Sequence, residues 1–73
     1  MNDIQVQLFI NHKKVGDVKL PPGSAVLNVL ITAFEQRLID EYVSKLSWNV
    51  LIGINSRDMN DMVRDTDLVD IYE

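Results

Sequence analysis

Cysteine is absent from this chain, and its absence removes disulfide bridges, thiolate metal ligands and thiol nucleophiles together. Histidine occurs once, as His12, between Asn11 and Lys13 in a stretch that reads as a turn. Acid–base catalysis needs a histidine positioned against a second group in a cleft, so His12 is read as a surface turn residue. No apolar run approaches the roughly 20 residues that cross a bilayer. The opening MNDIQVQ carries an acid and has no basic segment leading into an apolar one. No secretory signal is therefore expected there, and a cytoplasmic location is the default. Glycine is scarce as well. Pro21-Pro22-Gly23-Ser24 holds one glycine and is not followed by Lys-Ser or Lys-Thr, so it is a helix entry and not a phosphate-binding loop.

What is present describes one small globular domain over residues 1–73. Apolar residues make up 47% of the chain and the mean hydropathy is essentially zero, unlike a disordered polar chain. A domain of this size buries only about 60% of the surface its unfolded chain exposes, so its stability is modest. The net charge is −4 and it is unevenly placed. Asp58, Asp61, Asp65, Asp67, Asp70 and Glu73 face Arg64 alone over residues 58–73. Such a surface repels phosphate backbones and excludes nucleic acid as an expected partner. It suits a protein with a basic face, or serves only as a solvated rim. A calcium loop fails on spacing. Asp58 and Asn60 fit its first two ligand positions, but Met62 stands at the third, no glycine follows, and Val69 replaces the bidentate glutamate. No metal or cofactor is expected.

Residues 4–10 alternate, with Ile4, Val6, Leu8 and Ile10 on one side and Gln5, Gln7 and Phe9 on the other, as a half-buried strand does. Asn11-His12 suits a tight turn. Lys13–Leu20 returns as a second strand, interrupted at Gly16 by a bulge or an edge. Helical spacing then runs through 24–46, with Leu27, Leu30, Ile31, Phe34, Leu38 and Tyr42 along one face and Ser24 as N-cap. An unbroken helix there would be about 33 Å long, more than short strands can cover. The principal helix is expected to end between Leu38 and Tyr42, where Ile39, Val43 and Leu46 widen the stripe. Trp48–Ile54 reads as a third strand, with Trp48, Val50, Ile52 and Ile54 on one side and Leu51 on the other. Met59, Met62 and Val63 anchor an irregular stretch with a short edge strand near Arg57–Met59. Asp65-Thr66-Asp67 is a turn whose aspartates bond to backbone two residues on, and Leu68–Tyr72 is the last strand.

The order β-β-α-β-(β)-β predicts an α+β fold of the β-grasp, or ubiquitin-like, kind. In it a mixed sheet of four to five strands has one long helix across a face, and the first and last strands lie side by side. Over Gly53–Tyr72 the pattern resembles the small sulfur-carrier family of MoaD and ThiS type. Ile54-Asn55 stands at that family's dipeptide, and Val63–Val69 at its Leu-x-Asp-Gly-Asp-x-Val turn, with Thr66 in place of the glycine. Ile4–Leu20 is similar to the family's opening hairpin, with Asn11 at its turn. The resemblance implies a Gly-Gly tail that is adenylated and loaded with sulfur, whereas this sequence closes with Ile71-Tyr72-Glu73. The expectation is therefore a non-catalytic interaction subunit or adaptor held by a larger protein. The alternative is a carrier whose tail lies beyond this sequence. Small ubiquitin-like subunits of bacterial multicomponent monooxygenases and secretion machineries are similar in topology and also lack Gly-Gly. The expected protein-binding surface joins Phe9, Leu51 and Tyr72 to the acids Asp70 and Glu73. Self-association through an exposed edge strand is left open.

Overall fold

The computed structural model describes residues 2–39 and 49–72. Among these residues five strands and one helix follow the chain as β1 (Ile4–Ile10), β2 (Lys13–Leu20), α1 (Val26–Glu35), β3 (Asn49–Ile52), β4 (Asn55–Arg57) and β5 (Leu68–Tyr72). They form one mixed sheet in the order β2-β1-β5-β3-β4. β1 and β5 pair in parallel at its centre, with Leu8 opposite Val69 and Ile10 opposite Ile71. The other pairs are antiparallel.

The alternation of β1 puts Val6 and Leu8 fully inside, where they meet Val18 and Leu20 of β2, Val50 of β3 and Val69 and Ile71 of β5. Each such side chain contributes roughly 1.5–3 kcal/mol of transfer free energy. The Asn11-His12 turn takes positive φ at both residues (50° and 70°), the twist that two-residue hairpins require. Beyond it, Leu8 pairs with Gly16 and Phe9 with Lys14, so Val15 is the extra residue of a bulge. Gly16 also serves a close approach, since a Cβ there would come within 3.1 Å of the Leu38 methyls.

The helix departs from expectation in start, stop and rotation. It begins one residue after Ala25, not at a Ser24 cap. The Ser24 hydroxyl instead donates to the Pro21 carbonyl at 2.7 Å, and Asn28 Oδ1 accepts the Ala25 N–H at 2.9 Å. The Val26 and Leu27 N–H groups donate to the carbonyls of Asp61 and Met59 at 3.0 and 2.9 Å. A distant loop thus satisfies first-turn donors that a cap side chain would otherwise take. The stop comes at Glu35, before the expected Leu38–Tyr42. Arg37 turns left-handed at φ 62°, its N–H donates to Phe34 O at 3.0 Å, and the Leu38 N–H donates to Ala33 O at 2.9 Å. That is a Schellman closure with arginine where glycine is usual. Tyr42, Val43, Leu46 and Trp48 lie outside the described residues.

Rotation is the larger correction. The buried stripe is Val26, Val29, Leu30 and Ala33, while Leu27, Ile31 and Phe34 are 41%, 38% and 45% exposed. Strand β3 is also shorter than expected, because Gly53 and Ile54 form the two-residue turn into β4. Ile54 sits at that tip, 94% exposed, and not on the core side.

Candidate functional site

The outer face of the sheet carries the residues expected to bind a partner. Phe9 is opposite Asp70, Asp70 is opposite Leu51, and Tyr72 is opposite Asn49. Side chains of one face recur every second residue, so Phe9, Asp70 and Leu51 form a row across β1, β5 and β3, with Tyr72 one pleat further along. Lys14 flanks the row beside Phe9, and Ser56 beside Leu51. Phe9, Leu51, Asp70 and Tyr72 are each half-buried. Glu73 lies outside the described residues.

Asp70 is held within the chain. Its Oδ1 accepts the His12 backbone N–H at 3.1 Å, and its Oδ2 meets the His12 Nδ1 in an ion-pair contact. The His12 ring in turn lies 5.0 Å from the Tyr72 ring, centroid to centroid. The neighbouring Asn11 N–H donates to Ile71 O at 2.8 Å. The β1–β2 turn is therefore fastened to the end of β5, and Asp70 is its clasp. His12 is a turn residue, as its sequence context suggests, with a side chain 65% exposed.

Asp61, Asp65 and Asp67 show the same habit. Asp61 Oδ2 accepts the Asp58 N–H, and Asp67 Oδ2 accepts the Arg64 N–H, both at 2.8 Å. Asp65 Oδ1 accepts the Gln5 N–H at 2.9 Å, and Thr66 N–H returns a bond to Gln5 O at 2.8 Å. These aspartates do bond to backbone, but three residues back or across to β1, not two residues on. Carboxylate-to-amide bonds are charge-assisted and about twice as strong as neutral ones. Part of the acidity thus braces the loop under the helix. Among the described residues no three His, Cys, Asp or Glu side chains gather where they could hold a metal ion. Among them, too, no helix is long and apolar enough to cross a membrane.

Sequence reasoning missed the most exposed apolar side chains. Ile54, expected on one side of the third strand with Trp48, Val50 and Ile52, is 94% exposed, and Met62, expected as a loop anchor, is 54% exposed; of the loop apolars, Val63 is buried and Met59 half-buried. A Gly-X pair between two short alternating runs is the local signal that would have put Ile54 in a turn. Compared with known proteins, the chain matches no family model, no curated protein and no solved structure.

Proposed function

We propose that this chain is a β-grasp module that binds a larger protein without covalent attachment and performs no chemistry of its own. The observation that carries the reading is the row Phe9–Asp70–Leu51 with Tyr72 beside it. Three strands from distant parts of the chain present aromatic and aliphatic side chains on one sheet face, with polar residues at the margin. A patch of this composition is how protein-binding surfaces are built. The strand order, with β1 and β5 parallel at the centre and one helix across a face, supports the β-grasp assignment. Asp70 then acts by fixing the His12 turn and the Tyr72 ring, and the partner reads the apolar groups around it. Glu73 would add charge toward a basic partner.

The test is affinity capture from native extract with the intact tagged protein, beside a Phe9→Ser/Tyr72→Ser double variant. One stable partner assembly should be recovered, and the double variant should lose it by at least tenfold while keeping its circular dichroism. Capture that survives the double change would remove this face from the account. Recovery of an adenylating enzyme or a molybdopterin or thiamine synthase subunit would instead favour a sulfur carrier.

A further inference from the structure

We propose that the cleft between the β3–β4 hairpin and residues 62–68 receives an extended peptide segment of a partner protein, one that carries a carboxylate between apolar side chains. The cleft has a volume of about 620 Å³. Ile54, Met62 and Leu68 supply its apolar wall, and Arg57 and Arg64 its charge. A hairpin tip ordinarily takes glycine, asparagine, aspartate or serine. Ile54 at 94% exposure contributes no burial to the fold, and Leu68, 43% exposed, continues its surface.

The charges point the same way. Among the described residues the ion pairs are His12–Asp70 and Lys14–Asp17, so neither Arg57 nor Arg64 is paired. Arg57 donates only to the carbonyl of its neighbour Ser56, at 3.3 Å. One carboxylate, Asp67, also lines the cleft, and it is engaged by the Arg64 N–H. Guanidinium is the cation best shaped to take a carboxylate in two parallel bonds.

The edge supplies the rest. β4 is the last strand of the sheet, all three of its residues are exposed, and among the described residues no strand pairs with its outer side. Strand addition at such an edge takes affinity from main-chain hydrogen bonds and specificity from alternate side chains. The site is separate from the outer face. Asn55 and Arg57 are in register with Ile52 and Val50, so they share the core-side parity opposite to Leu51.

Selection of a random heptapeptide phage library on the intact protein tests this. Enriched sequences should hold Asp or Glu flanked by apolar residues. A synthetic peptide of that consensus should bind at least tenfold more weakly to Arg57→Glu/Arg64→Glu and to Ile54→Ser, and equally well to Phe9→Ser/Tyr72→Ser. Both cleft changes fall on exposed side chains without ion pairs, so thermal midpoints should stay near that of the unchanged protein. The proposal is overturned by an absent or acid-free consensus, or by undiminished binding to the charge-reversed protein. Displacement of the peptide by millimolar inorganic phosphate would reduce the cleft to an anion site. A dimer that dissociates on charge reversal would make a second copy the occupant. The outer-face reading stands or falls independently of all these results.

Discussion

Thr66 shows how a single backbone angle registers in this fold. Its φ is 69°, in a region that β-branched residues rarely enter. The strain is held because the Thr66 N–H reaches Gln5 O at 2.8 Å and the Asp65 carboxylate holds the Gln5 N–H beside it. A left-handed conformation costs an L-residue roughly 1–2 kcal/mol, while glycine's extra unfolded freedom costs about 0.5–1 kcal/mol. Thr66→Gly should therefore stabilise the protein by about 0.5–1 kcal/mol, read as a higher urea midpoint at unchanged slope. A lower midpoint would mean that the threonine side chain contributes something the backbone angle conceals. Arg37 and the Asn11-His12 pair carry positive φ as well. Asn11 was legible as a turn residue, because asparagine tolerates this region. Arg37 was not, because arginine carries no such signal and only the Schellman closure requires it.

At the scale of the element, the helix had two apolar stripes to choose between, and Leu30 belongs to both. Leu30→Ala removes a fully buried side chain and should cost about 3 kcal/mol, within the usual range for a core truncation. Ile31→Ala, at 38% exposure, should cost less than about 1 kcal/mol, since alanine recovers some helix propensity. Equal losses in urea unfolding would show that the helix is rotated toward the Leu27–Ile31–Phe34 side. The reason for the observed choice lies outside the helix. Loop carbonyls at Met59 and Asp61 fix its first turn, and Leu38 beneath Gly16 fixes the chain just after its last. With both ends tied, the rotation follows. Periodicity revealed a helix, but two overlapping stripes of similar hydrophobicity left its facing undetermined.

Across the whole molecule, stability should grade from the centre of the sheet outward. β1 and β5 are flanked on both sides and contain Val6, Leu8, Val69 and Ile71, all fully buried. β4 is an edge of three exposed residues. Native-state hydrogen exchange should find the β1 and β5 amides opening only with global unfolding, and the β4 amides opening at far lower free energy. Comparable protection in β4 and β5 would mean that something covers that edge in solution. The opposite edge, β2, is longer but carries Lys13, Lys14 and Lys19, the charge placement that discourages edge-to-edge pairing. If one edge of the sheet receives another chain, it is β4.

Elements that depend on near neighbours are legible in the order of residues alone. Alternation gave β1 and β5 their inward faces, Asn11-His12 gave the first turn, and the 3.6-residue period gave a helix after Pro21-Pro22-Gly23. The α+β class followed from their order. The folded chain alone sets the register of β1, β5 and β3, which puts Phe9 opposite Asp70 and Asp70 opposite Leu51. It also turned Asp61, Asp65, Asp67 and Asp70 into braces for backbone amides and placed Arg57 and Arg64 in one cleft with an exposed Ile54. Period and propensity are set within a few residues of a position. Which carboxylate finds which amide, and which apolar stripe meets the sheet, is set by segments that folding alone brings together.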